Sequence, residues 1–419
     1  MMDRTFPDPE GATPMMAQFL DLRAQAPMDA LLFYRMGDFY ELFFDDAVRA
    51  AEALDIALTK RGEHQGEKIA MCGVPVHNAQ AYLSRLIKAG FKVAVGEQME
   101  DPAEAKKRGS KSVVRRAITR IVTPGTLTED DLLDARQANR IGALARLATG
   151  EMALAWADVS EGLFQSIALP VDALEEILVA DEDAKTVSTL CPGSAVTARA
   201  RAKFDPGSGD RRLRQRFEVQ TLESFGDFSK AELAALGCLL DYLELTQAGA
   251  PAKLSAPVSI AAGAAMAIDP AARVSLEIER TMSGTRKGSL IDAIDETVTA
   301  PGARLLAERL ARPAMDLSSI HARLDAVQFF LDARNLRESV RARLKRAGDP
   351  ARALSRLCLG RGGPRDALQL ARALREGERL NGDFSQSPLS SPPDAVARAL
   401  EAVSLAARPD LAALVHDIE

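Results

Sequence analysis

The segment Gly37-Asp38-Phe39-Tyr40-Glu41 sets an aromatic ring and a carboxylate two residues apart. On a strand or an extended turn, residues i and i+2 face the same way. Such a pair could stack a flat ring on a partner and accept a hydrogen bond beside it. An aromatic after Gly-Asp is more often a core residue, so the pair gains meaning only from its surroundings. A second feature is a crowd of cations: Lys106, Lys107, Arg108, Lys111, Arg115, Arg116 and Arg120, opposed locally only by Glu104. Cations so spaced either stay solvated or pair with phosphates. A third is Asp158, near the end of a strand pattern. Metal-dependent cleavage would need several carboxylates converging on the ions. No convincing set accompanies Asp158, so a strand-end Asp is the expectation.

The bulk composition narrows the field. The chain has 419 residues, 53 basic and 59 acidic, for a net charge of −6. That excludes a wholly basic nucleic-acid binder but not a basic stripe on one face. Cys72, Cys191, Cys238 and Cys358 form no C-x-x-C pair, and only four His accompany them. Reduced, buried thiols are expected, and no metal site. No run of 18 apolar residues exists, so no transmembrane helix is expected. The polar, Pro-rich Met1 to Pro14 is not a secretory signal.

These features must be carried by elements that the patterning predicts. Thr13-Pro14 starts a helix. Strands are expected over 31–35, 68–71, 91–95 and 117–122, and helices over 43–54 and 80–88, the latter ended by Gly90. Alternation of this kind means α/β. An acidic connector, Glu129 to Asp134, follows. A second α/β unit starts near Asn139, with strands over 141–147, 152–159 and 163–169, a helix over 171–179, a Gly/Pro-rich loop over 202–210 and a helix over 231–245. From about Asp269 only helices are expected, over 276–278, 299–310, 319–330, 336–345 and 365–374. A Ser/Pro loop, 385–393, precedes a final helix from Asp394.

The run from Leu31 to Phe43, LLFYRMGDFYELF, closely resembles the mismatch-recognition segment of the bacterial MutS family of DNA mismatch repair proteins. Thr13-Pro14-Met15-Met16, Leu58 to Gly62, Met71 to His77, Arg120 to Thr126, Gly237 to Tyr242, Met266 to Asp269 and Thr299 to Leu306 match the same family in order and spacing. The resemblance implies a mismatch-recognition domain over 1–125, of mixed α/β fold. It implies a linker over 126–138, an RNase H-like α/β connector over 139–265 and a helical lever domain over 266–419.

In this family a Phe-x-Glu motif enters the minor groove of duplex DNA, and here it maps to Phe39 and Glu41. A ring stacked on a base gains about 1–3 kcal/mol. Unstacking a step costs a few kcal/mol, and bending the site about 1–6 kcal/mol more. A well-paired step leaves that balance unfavourable; a mispaired step is already weakened. Discrimination would then rest on deformability. Glu41 would hydrogen-bond the displaced base, and nearby phosphates would favour its protonated form. Met36, Arg61, His77 and Arg120 stand at matching positions. The basic stretch would meet the DNA backbone. Val76 stands where the family often has an aromatic.

The resemblance also implies an ATPase domain, a homodimer and a MutL-type repair partner, in a cytoplasmic, nucleoid-associated setting. A phosphate loop needs G-x-x-x-x-G-K-[ST], and this chain has no Gly-Lys dipeptide. The chain is therefore expected to be the N-terminal part of such a protein, noncatalytic and without a cofactor. ATP and Mg2+ would enter only with an ATPase domain. A metal-dependent nuclease built on the middle unit is the alternative reading.

Overall fold

The computed structural model describes residues 6–109, 112–166, 174–248, 252–260, 265–386, 391–406 and 408–418. The first unit opens with helix α1 (Pro14–Gln25), whose N-terminus is closed by the Thr13 hydroxyl accepting from the amide of Met16 at 3.4 Å. Strands β1 (Ala30–Met36) and β2 (Phe39–Phe43) form a hairpin, followed by α2 (Phe44–Leu54). Then come β3 (Thr59–His64), β4 (Glu67–Pro75), α3 (Ala79–Lys88), β5 (Lys92–Gln98), α4 (Pro102–Lys107) and β6 (Arg116–Val122). The sheet order is β3-β4-β2-β1-β5-β6, parallel only between β1 and β5. Both faces are covered. Leu31, Phe33 and Leu42 pack under α2 and α3, while Leu32, Tyr34 and Phe43 pack on Phe19 of α1. This central burial is why 31–35 reads as a continuous apolar run. In the second hairpin, β4 carries the apolar stretch Ile69 to Val74, whereas β3 is polar and carries no such run.

The second unit contains β7 (Ile141–Arg146), β8 (Met152–Asp158), β9 (Leu163–Ser166), β10 (Glu176–Ala180), α5 (Ala184–Leu190), β11 (Ala195–Arg199), α6 (Pro206–Phe217), α7 (Lys230–Thr246) and β12 (Val258–Ser259). Its order is β11-β10-β7-β8-β9-β12. An antiparallel meander, β7–β8–β9, is extended by parallel β10 and β11, as in an RNase H-like unit. Two sequence expectations are corrected here. The stretch 171–179 is not a helix: Glu176 to Ala180 form a fully buried strand between β7 and β11. Periodicity cannot separate a short buried strand from a buried helical turn. Residues 167–173, which hold the rest of that stretch and the end of the third strand, lie outside the described residues. The stretch 202–210 is not a loop: Asp205 caps α6 through its carboxylate at 2.7 Å from the amide of Ser208, with Pro206 in the first turn.

Gly209 of α6 and Gly237 of α7 are there for contact. A β-carbon on Gly209 would lie 2.1 Å from the carbonyl oxygen of Leu233, and one on Gly237 2.4 Å from the Cα of Gly209. The two helices thus meet backbone to backbone. Gly237→Val is expected to destabilise the second unit by about 1–3 kcal/mol or more, as overpacking that no rotamer relieves. The sole tryptophan, Trp156, is fully buried in that unit. Its fluorescence in a urea titration reads the loss.

The third unit is helical: α8 (Pro270–Ser275), α9 (Leu290–Ile294), α10 (Ala300–Ala311), α11 (Leu317–Asp332), α12 (Arg334–Ala347), α13 (Pro350–Cys358), α14 (Pro364–Ser385), α15 (Asp394–Ala402) and α16 (Pro409–Ile418). Residues 276–278 are corrected from helix to turn, since α8 has ended and Glu277 has a φ of 46°. Of the expected 385–393 loop, 387–390 lie outside the described residues.

The units are joined through residues 127–137. Arg352 donates to the carbonyls of Asp134 (3.0 Å) and Gln137 (2.7 Å), Arg304 to that of Ala135 (2.6 Å) and Arg361 to the Thr128 hydroxyl (3.1 Å). Arg356 pairs with Asp130, and Arg136 with Asp295 at 2.7 Å.

Candidate nucleic-acid interface

The β1–β2 hairpin turns on two residues, Gly37 and Asp38. Gly37 has a φ of 58°, which a β-carbon resists. Strand alternation then sorts the side chains of β2. Tyr40 and Leu42 go inward, whereas Phe39 is 48% exposed. Its aromatic neighbours Phe33, Tyr34, Tyr40 and Phe43 are all buried. Tyr40 stacks on Phe33 at 5.5 Å and hydrogen-bonds Glu97. Burial, then that carboxylate, push the Tyr40 phenol up to about 12, so it stays a neutral donor.

Phe39 and Glu41 share a face, as their spacing predicts. On β4 their partners are Pro75 and Gly73. Gly73 has no side chain to cover them: a β-carbon there would sit 3.7 Å from Cγ of Glu41 and 4.0 Å from Cδ1 of Phe39. Arg61, on β3, folds back so that its Nη1 lies 2.6 Å from both oxygens of Glu41. The Arg61 side chain is 43% exposed and that of Glu41 13%. The carboxylate is therefore neutralised by a cation that water reaches.

Two further residues converge on the turn. Met36 is the cross-strand partner of Phe39 and is half-buried. His77 is exposed in a short turn, Val76–Asn78, whose first amide donates to the carbonyl of Asp38 at 2.9 Å. Phe39, Glu41, Met36, Arg61 and His77 thus gather at one end of the sheet.

The basic stretch divides. Lys106 and Lys107 are exposed at the end of α4. Lys111 lies outside the described residues. Arg108 and Arg115 are both held by Glu100, which accepts two bonds at 2.5 Å from Arg108 and, from Arg115, the amide at 2.7 Å and Nε at 3.1 Å. The Arg108 hydrogen bonds first, then the Arg115 amide, hold the Glu100 carboxyl down at about 2. Its pKa is depressed, so this brace is present at neutral pH and is lost only as the pH falls through that value.

Arg116 is a brace rather than a free cation. It donates to the Arg35 carbonyl (2.6 Å), Gln18 (2.9 Å) and the Val114 carbonyl (2.9 Å), and lies 4.6 Å over the Tyr34 ring. It fixes the end of β1 from which the hairpin projects. Arg120 is taken up elsewhere. It pairs with Glu129, and burial lowers its pKa to about 10.

Glu97 and Glu100 were missed by sequence reasoning. The only signal of Glu100 is its place just before the cations it organises, and Glu97, at the end of β5, serves Tyr40 and Arg35 instead.

Asp158 is fully buried. Its carboxylate accepts from the amides of Asn139 (2.9 Å), Ser160 (3.0 Å) and Glu161 (3.2 Å) and from the Ser160 hydroxyl (2.6 Å). Those bonds occupy it as a strand-end tie. Among the described residues no group of three His, Cys, Asp or Glu could hold a metal ion. Burial pushes the thiols of Cys72 and Cys238 up to about 12, out of reach of redox chemistry at neutral pH. No helix among the described residues is long and apolar enough to cross a membrane.

Comparisons with known proteins agree over nearly the whole chain. Family models match residues 13–131 as MutS domain I, 139–256 as MutS domain II and 271–419 as MutS domain III. The DNA mismatch repair protein MutS of Caulobacter vibrioides is 51% identical over 98% of this chain and 47% of its own length. That of Cereibacter sphaeroides is 54% identical over 93% of this chain and 45% of its own. That of Paracoccus denitrificans is 53% identical over 88% of this chain and 43% of its own. The chain spans about half the length of the curated relatives it matches.

Proposed function

Because this chain belongs to the MutS family, carrying its domains I, II and III in order, we propose that it senses mispairs and small loops in duplex DNA with Phe39 as a minor-groove wedge. The observation that carries this reading is the exposure of Phe39 at a glycine turn, amid aromatics that are all buried. A ring left half in water at the rim of a rigid sheet is available to stack on a base. Glu41 lies on the same face and would accept a hydrogen bond from the displaced base. In the free chain it is occupied by Arg61. Phosphates arriving at the groove compete for that guanidinium and free the carboxylate. Lys106 and Lys107, exposed at the end of α4, would meet the backbone, with Arg108 and Arg115 beside them.

By family resemblance, the whole protein works as a homodimer, engages a MutL-type partner and hydrolyses ATP with Mg2+. The residues of this chain do not fit a nucleotide, since no Gly-Lys phosphate loop is present.

Titration of the chain against a G·T-mispaired duplex and its matched twin, at one salt concentration, tests the reading. Tighter binding of the mispaired duplex is expected, with fluorescence of a 2-aminopurine beside the mispair rising as the step unstacks. Equal affinity and no unstacking would sink it. The bracing of the basic stretch gives a second expectation. Glu100→Gln removes one negative charge and loosens Arg108 and Arg115. Matched-duplex affinity should rise about threefold, and its log–log salt slope should steepen by about one to two, near 0.9 per added phosphate contact. An unchanged slope would place these cations off the DNA.

A further inference from the structure

A ring that parts two stacked bases is pushed back as it enters, so the turn that bears it has to be stiff. Alternation puts Phe39 and Tyr40 on opposite faces of β2. Tyr40 joins the core under α2 and α3, together with Phe33 of β1 and Val95 of β5. Arg35 and Glu97, each two residues further along those strands, reach the same face. There the three side chains meet. Arg35 is the cross-strand partner of Tyr40, and its guanidinium lies 5.5 Å over the Tyr40 ring. Tyr40 donates its phenol proton to Oε1 of Glu97, and Nη1 of Arg35 stands 3.7 Å from Oε2. The Nε of Arg35 donates to the carbonyl of Gly37, in the turn itself, at 2.5 Å.

Glu97 is thus the base of a chain that runs from β5 through Arg35 to the turn. It ties three strands together behind the ring: β2 through Tyr40, β1 through Arg35, and its own. Glu97 is the ionic partner of Arg35, whose side chain is 26% exposed. With the carboxylate gone, the guanidinium is released toward water and its hold on the Gly37 carbonyl loosens. The carbonyl of Asp38 keeps the Val76 amide, at 2.9 Å, so the turn would be held from one side only. With Phe39 as the wedge, we propose that Glu97 is its positioning residue, stiffening the turn from the face opposite the ring. Each backbone residue that must be ordered as DNA binds costs a factor of about 5–30 in affinity. That cost falls on the mispaired complex, where the ring inserts. Matched binding rests on phosphate contacts and is spared.

The test uses the whole chain as wild type, Glu97→Ala, Glu97→Gln, Arg35→Met and the Glu97→Ala/Arg35→Met double variant. Each is titrated against the G·T-mispaired and the matched duplex. Amide hydrogen exchange is followed over 36–42 and, as a control for folding, over 91–95. Glu97→Ala is expected to lower the mispair preference about tenfold, with matched affinity unchanged. Exchange over 36–42 should quicken while protection over 91–95 holds. Glu97→Gln keeps an acceptor for Tyr40 and should recover part of the preference. Arg35→Met should also lower the preference, and the double variant should lose no more than the worse single one, since both changes cut one chain. A wild type without mispair preference would sink the wedge reading, and this role with it. A wild-type preference that Glu97→Ala retains overturns the role of Glu97 alone. So do losses that add in the double variant, or protection over 91–95 that disappears in Glu97→Ala.

Discussion

Phe39→Ala is expected to abolish most of the preference for mispaired over matched DNA while leaving matched binding nearly unchanged. Stacking on a base contributes about 1–3 kcal/mol per ring. Its loss should lower the mispair preference by about 5- to 150-fold. Matched binding rests on phosphate contacts, which this change does not touch. The fold should hold, because the ring is half-exposed and substitutions at such positions usually alter stability by about 0.5 kcal/mol or less. Anisotropy titrations of wild type and variant on the two duplexes check it. A variant whose mispair preference equals that of the wild type would remove Phe39 from the mechanism.

The largest loss of stability is expected from Glu176→Ala. This carboxylate is fully buried where the first two units meet. It accepts from the Thr123 hydroxyl (2.5 Å), the Gly125 amide (3.2 Å), the Thr197 hydroxyl (2.6 Å) and the Tyr242 phenol (2.8 Å), with Nζ of Lys92 3.7 Å away. Burial, then this carboxylate, hold the Tyr242 phenol well above its ordinary pKa. Removing the acceptor takes a partner from three hydroxyl groups and leaves Lys92 with the half-exposed Asp29, at 2.6 Å, and the Thr197 hydroxyl, at 2.8 Å. Breaking a buried charge pair costs about 3–5 kcal/mol. The urea transition seen by Trp156 should move down accordingly. Glu176→Gln keeps the shape and one acceptor oxygen, and should lose less. Equal transitions for wild type and Glu176→Ala would mean that water has replaced the carboxylate.

Much of the hairpin was legible in the sequence because its constraints are local. Gly37-Asp38 demands a turn, an apolar run precedes it, and strand alternation puts Phe39 and Glu41 on one side. β1, β5, β7 and β8, apolar runs inside their sheets, were legible for the same reason. The β3–β4 hairpin was only partly so: its polar half has no apolar run, and Arg61 came to notice only through family resemblance. Its pairing with Glu41 depends on the order β3-β4-β2, which no local pattern encodes. Arg116 and Arg120 sit in the same basic run as Lys106, yet strand pairing turns them to internal partners. Glu176 to Ala180 misled because a five-residue buried strand and a buried helical turn have the same composition. Asp205-Pro206 was a helix start hidden by glycines, whose reason lies on another helix.

The stretch 127–137 reads as an acidic tether, yet the arginines of α10 and α13 hold its carbonyls and carboxylates at close intervals. It behaves as a splint. A slack cord absorbs displacement at one end before the other end feels it. A splinted segment has no slack to take up, so on the proposed function a tilt imposed on the first sheet by kinked DNA would reach α10 and α13 as strain in those same hydrogen bonds. On that reading the helical unit would register the angle of the DNA without touching the mispair.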